Sequence, residues 1–167
     1  MTEPGSPLAG LAPASDSGLN VADRYWLRQA IELSRRCIPS PTAFCVGAVI
    51  VAADGTVLAT GYSRERDPHD HAEESALALA DRSRLASATL YSSLEPCGSR
   101  ASRPRPCAQL IIESGLPRVV FAWREPPLFA PGHGADRLCA AGLVVAEAPA
   151  LAAAARAVNA DVLGDRP

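Results

Sequence analysis

Lysine is missing: all 16 basic residues of this 167-residue chain are arginine. Chemistry that needs an ε-amine is thereby excluded, both Schiff-base catalysis and the lysine-dependent phosphate loop. The bias itself reads as the mark of a GC-rich genome. No apolar run reaches the ~20 residues that span a membrane, and no charged segment leads into an apolar one at the start, so neither an anchor nor a signal peptide is expected. Positive charge is not in excess either. The formal net charge is −2, so the field that draws in nucleic acid by counterion release is lacking, and nucleic acid is not expected as a partner. Five cysteines, an odd number, do not make a disulfide framework. In a reducing compartment they read as free, metal-binding or catalytic, and a cytoplasmic address is expected.

What is present is one domain's worth of chain, with an ordinary 48% hydrophobic and 20% charged residues. Residues 1–19, rich in Pro, Gly, Ser and Ala, are expected to be a disordered tail, residues 20–162 the folded domain and 163–167 a short C-terminal tail. Tyr25, Trp26, Ala30, Ile31 and Leu33 recur at helical spacing between Val21 and about Cys37, and Pro39 and Pro41 stop that helix. Phe44–Ala52 is a near-continuous apolar run suited to a central strand, and Asp54-Gly55 turns it into a hairpin partner over Thr56–Tyr62. A helix is expected over His71–Arg82, a strand over Thr89–Ser93, and a helix resuming at Gln109–Ser114. Arg118–Trp123 reads as a strand, Ala135–Ala141 as a helix, Leu143–Ala146 as a strand and the Ala-rich Ala150–Val162 as one helix. Helices alternating with strands after an opening hairpin predict an α/β fold, a mixed sheet covered on both faces.

Three segments carry chemistry: His71-Ala72-Glu73, Pro96-Cys97 and Pro106-Cys107. Taken singly, each is an ordinary polar residue or a small buried hydrophobe. Together they supply one imidazole, two thiolates and a carboxylate that need not ligate. A catalytic Zn2+ fills three tetrahedral positions with such ligands and keeps the fourth for water, whose pKa falls toward ~7. Glu73 is then placed to take a proton from water and return it to substrate and leaving group. The pattern matches the general H-x-E…P-C-x-x-C signature of zinc deaminases, except that nine residues instead of two separate Cys97 from Cys107. Cys97 is therefore expected to open a helix-like turn, with 98–106 looping out before Cys107. Residues i and i+2 of a helix lie ~200° apart, so His71 and Glu73 can serve one site only if His71 sits at the helix start, outside regular geometry. On a fully formed helix Glu74 would be the better placed carboxylate. His69, if it ligated as well, would close the site as a structural His2Cys2 centre. Cys37, Cys45 and Cys139 read as packing or surface residues, with Cys45 able to border the pocket.

At these residues the chain resembles the cytidine-deaminase superfamily, and within it the riboflavin-pathway branch, whose core runs HAE…LEPC…PC. Pro41–Ala48, with Gly61-Tyr-Ser-Arg-Glu65, resembles the fungal-type pyrimidine deaminase of that branch. The likeness runs from about Val21 to Ala148. It implies a three-layer α/β/α sandwich around a five-stranded mixed sheet, with one zinc per chain held by His71, Cys97 and Cys107. It implies Glu73 as the proton carrier and a homodimer or higher homo-oligomer. Phe44, Cys45, Ser63, Arg64, Glu65 and Ala72 are expected around a small-molecule substrate, and Arg64, Arg100, Arg103 and Arg105 are candidates for a phosphate on it. Bacterial bifunctional relatives carry Pro-Asn-Pro where this chain has Ala43-Phe44-Cys45, and Asp-Pro where it has Glu125-Pro126. Their Asn contact is thus missing, and no reductase domain is expected. The expected activity is hydrolytic removal of an amino group from an aminopyrimidine, foremost a diaminopyrimidine ribityl phosphate. A nucleoside, nucleotide or purine-base deaminase and a non-catalytic zinc-stabilised binding module are the alternatives.

Overall fold

The computed structural model describes residues 18–164. Helix α1 (Val21–Ser34) opens with a reciprocal cap in which Asn20 Oδ1 accepts from the Asp23 N–H and Asp23 Oδ2 accepts from the Asn20 N–H. Then come β1 (Gly47–Val51), β2 (Val57–Tyr62), α2 (Ala72–Leu79), a 3-10 helix at Arg82–Ser87, β3 (Thr89–Leu94), α3 (Cys107–Ser114), β4 (Arg118–Trp123), α4 (Gly134–Ala140), β5 (Val144–Glu147), α5 (Pro149–Val158) and α6 (Ala160–Leu163). The sheet order is β2-β1-β3-β4-β5. Strand β1 runs antiparallel to β2 and β3, and β3, β4 and β5 run parallel.

Side chains alternate between two cores, as the pleat requires. Ala48, Ile50, Leu90, Leu94 and Val119 join α2, the 3-10 helix, α3 and α4 on one face. Val49, Val51, Tyr91, Val120 and Ala122 join α1 and α5 on the other. This is the expected three-layer sandwich on a five-stranded mixed sheet. No helix among the described residues is long and apolar enough to cross a membrane.

Several boundaries differ from the sequence reading. The first strand begins at Gly47, not Phe44, because the chain ahead of it leaves the ladder to line a cavity. Helix α2 stops at Leu79, since Asp81 accepts from the Ser83 N–H and caps the 3-10 helix instead. Helix α3 starts at Cys107, two residues ahead of the expected Gln109. Cys97 opens no helical turn: it lies in irregular chain after β3, and its carbonyl accepts from the Ala108 N–H. The Ala-rich C-terminal helix is interrupted at Asn159, whose side chain is bonded elsewhere. The expected tails fall largely outside the described residues (1–17 and 165–167), while Leu19 and Leu163 pack against the cores.

Candidate active site

The site lies where α2 and α3 begin, beside the C-terminal end of β3. Helix α2 presses closely on β2: a Cβ added at Gly61 would sit 2.5 Å from the Ala72 carbonyl oxygen. This close approach fixes the height of the α2 N-terminus over the sheet. His71 is the N-cap, with extended backbone (φ −86°, ψ 160°). Its ring therefore departs from the helical path, as the His-x-Glu pairing requires. His71 Nδ1 lies 3.5 Å from Cys97 Sγ and 3.4 Å from Cys107 Sγ, and the Cys107 N–H donates to Cys97 Sγ at 3.2 Å. The donor atoms of the three residues lie within 4.8 Å of one another, the arrangement in which one metal ion could be held. His69 is not part of that cluster.

The loop carrying Cys97 is pinned from outside. Glu95, buried, accepts from the Glu125 and Ala135 N–H groups at 3.0 and 2.9 Å. A Cβ at Gly134 would collide with the Pro96 carbonyl oxygen at 1.6 Å, so only glycine lets α4 begin there. Arg137 donates to the Gly98 carbonyl. Hydrogen bonds from the Cys107 thiol and the His71 ring, against the opposing effect of burial, hold the Cys97 thiol well below its ordinary range. That is the charge state a soft cation needs from its ligand.

Glu73 is 3% exposed, and its Oε1 accepts from Ser92 Oγ on β3 at 2.8 Å. Burial pushes its carboxyl upward, against the opposing influence of His71. Glu74 turns the other way: it accepts from Arg100 Nη1 at 3.0 Å and pairs with Arg103 Nε at 3.1 Å. Geometry thus separates the two neighbouring carboxylates, one inside and one at the rim.

Above the cluster opens a cavity of about 390 Å3 lined by Phe44, Ser63, Arg64, His71, Glu73, Arg100, Glu125 and Phe129 among others. Phe44 meets Trp123 and Phe129 edge-on at centroid distances of 5.5 and 5.0 Å. Glu125 is pushed up to about 8 by burial and by the neighbouring Cys97 and acidic side chains.

Of the residues expected around a substrate, Phe44, Arg64 and Arg100 line this cavity. Cys45, Glu65, Ala72, Arg103 and Arg105 do not line it. Cys45 faces a small separate pit beside Asn159. Glu65 folds back to accept from the Tyr62 N–H at 3.3 Å. Ala72, the first residue of α2, is fully buried against Gly61. Arg103 is engaged by Asp67, Asp70 and Glu74, and Arg105 pairs with Glu113 on the exposed side of α3. Even Arg64, held at φ +61°, turns its guanidinium toward the Phe44 and Ile38 carbonyls and the Cys37 and Cys45 sulfurs. Ser63, expected in the pocket as part of 63–65, lines the cavity as well, whereas nothing in the sequence singles out Ser92 or gives Glu95 a role beyond its place in the motif; both gain meaning only from their buried partners.

Residues 20–123 match the cytidine and deoxycytidylate deaminase zinc-binding region. The chain belongs to this family. A diaminohydroxyphosphoribosylamino-pyrimidine deaminase of Schizosaccharomyces pombe is 40% identical over 129 residues, 75% of this chain and 31% of that protein. One of the same name from Buchnera aphidicola is 31% identical over 116 residues, 67% of this chain and 74% of that protein. Among solved structures, Acinetobacter baumannii RibD superposes with a TM-score of 0.74 at 32% identity, covering 86% of this chain and 39% of that one. This family member spans about a third of the length of the larger curated relatives it matches.

Proposed function

We propose that the chain is a hydrolytic deaminase acting on an aminopyrimidine, best of all a diaminopyrimidine carrying a ribityl- or ribosylamino phosphate. The observation that carries this reading is the convergence of His71, Cys97 and Cys107 beside a cavity that His71 and Cys97 line, together with a buried carboxylate on its wall, Glu73, held by Ser92. One imidazole and two thiols, one of them already held low, suit zinc, and these three residues would hold it. When bound, the ion supplies Lewis acidity toward water.

The remaining work falls to the chain itself. Burial makes the Glu73 carboxylate a stronger base than a solvated one, so it is suited to take a proton from the attacking water. The same group passes this first proton to the ring nitrogen, then carries the second, from the hydroxyl now on the ring carbon, to the departing amino group: water and the amino-heterocycle become the oxo-heterocycle and ammonia. Ser92 keeps the carboxylate aimed during both transfers. Phe44 and Phe129 form an apolar wall for a flat ring. A phosphate on the substrate would meet Arg100, which lines the cavity, in preference to Arg103 or Arg105, which do not.

The names of the relatives support the substrate, and the donor set supports the reaction. A panel read by free ammonia tests both. The diaminopyrimidine phosphate is expected to react at least ~100-fold faster in kcat/KM than cytidine, deoxycytidine monophosphate, adenine or guanine. A nucleoside or purine base in first place would overturn the substrate, and no ammonia from any compound would overturn the activity.

A further inference from the structure

The four residues ahead of and into β1, Phe44–Gly47, are stitched into place largely by side chains. Arg64 donates to the Phe44 carbonyl at 3.2 Å, Ser63 Oγ accepts from the Val46 N–H at 3.0 Å and Ser93 Oγ accepts from the Gly47 N–H at 3.1 Å. Cys45 is met on both backbone groups by one residue: its N–H donates to Asn159 Oδ1 at 2.7 Å, and its carbonyl accepts from Asn159 Nδ2 at 3.0 Å. The amide thus stands in for a neighbouring strand at the point where the chain leaves the sheet. Asn159 is 5% exposed, and Nδ2 also donates to the Ala155 carbonyl at 3.2 Å, so its amide is committed on both sides. It lies between α5 and α6, 36 residues beyond the end of the family match at residue 123.

We propose that Asn159 is a positioning residue for substrate binding. It holds the Cys45 backbone, and through it sets the ring of Phe44 as the wall of the cavity. Phe44 is adjacent to the clasped peptide unit, lines the cavity and touches Trp123 and Phe129. Released at Cys45, that wall would lose its fixed place while Glu73, His71, Cys97 and Cys107, carried by other elements, would keep theirs. The consequence falls on affinity and not on the chemical step. This inference rests on the deaminase reading.

The test compares the parent with Asn159→Ala, Asn159→Ser and Ile31→Val, the last a destabilising change in the core on the other face of the sheet. Steady-state ammonia release and amide hydrogen exchange at Phe44–Val46 are measured in each. KM is expected to rise roughly tenfold in Asn159→Ala, with kcat within about twofold, the signature of lost uniform binding. Asn159→Ser should fall between it and the parent, and provides the reading if the alanine variant does not fold. Exchange at the Cys45 amide should quicken in both, and Ile31→Val should lower stability without moving KM. A KM no higher than that of Ile31→Val, a loss confined to kcat, or unchanged exchange at Cys45 would overturn the proposal. A parent that releases no ammonia would instead overturn the deaminase reading.

Discussion

His71 and Glu73 are separated by one residue, yet both line one cavity because the first is a cap and the second is already helical. That condition was readable from the spacing alone, since two residues on a regular helix would diverge by ~200°. The choice between Glu73 and Glu74 was not, because it depends on Arg100 and Arg103 drawing Glu74 to the rim. Nor was Ser92, a buried serine on β3 whose hydroxyl anchors the carboxylate. Replacing Ser92 with alanine is expected to lower kcat by about tenfold with protein fold and metal content retained, as loss of an orienting partner does elsewhere. Steady-state kinetics beside metal analysis and circular dichroism check this, and an unchanged kcat would remove Ser92 from the site.

At the level of elements, α1 is tied to the sheet by one carboxylate. Asp23 accepts from Arg118 at 2.7 and 2.9 Å and from the Tyr91 hydroxyl at 2.9 Å, while also capping its own helix. Burial works to raise its carboxyl, but the Arg118, Asn20 and Tyr91 hydrogen bonds outweigh it and hold it below the ordinary 3.8. A depressed folded value means that its contribution to stability is complete above 3.8 and fades as pH falls through the lower folded value. Asp23→Asn should abolish that share of the acid sensitivity. Asp23→Ala should cost about 3–5 kcal/mol in urea unfolding at neutral pH, because Arg118 is left beside buried Tyr91 with no counter-charge. A loss under about 1 kcal/mol would show the pair to be no stronger than an exposed one.

Most elements were legible, because β1 and β4 are short continuous apolar runs and α1 keeps a helical apolar period. Three of the misplaced features share a cause. Phe44–Val46, Cys97 and Asn159 are positions where tertiary hydrogen bonds replace local ones, and no local pattern records them. Arg103 and Arg105 were expected near a substrate because arginine near a motif suggests an anion; three carboxylates from 67 to 74, distant in sequence, had already claimed the first.

For the whole molecule, two cores flank one sheet, and the site sits at the end of β3 between the N-termini of two helices of the same layer. An ion held there would tie α2, the loop after β3 and α3 together. Its removal by a chelator should therefore lower stability of the entire fold, by about 4 kcal/mol where free metal stands a thousandfold above Kd. Thermal unfolding before and after chelation, with zinc restored as the control, reads this directly; a midpoint indifferent to metal would show that the three residues hold none. Cys97→Ser and Cys107→Ser should each behave as the chelated parent does.

The central claim is that Glu73 moves the proton beside a metal it does not ligate. Ammonia release by Glu73→Gln, measured on protein whose zinc content per chain has been determined, tests it most directly. A fall in kcat of at least ~100-fold is expected, with zinc content equal to that of the parent. Activity within a few-fold of the parent, or zinc lost together with activity, would contradict it.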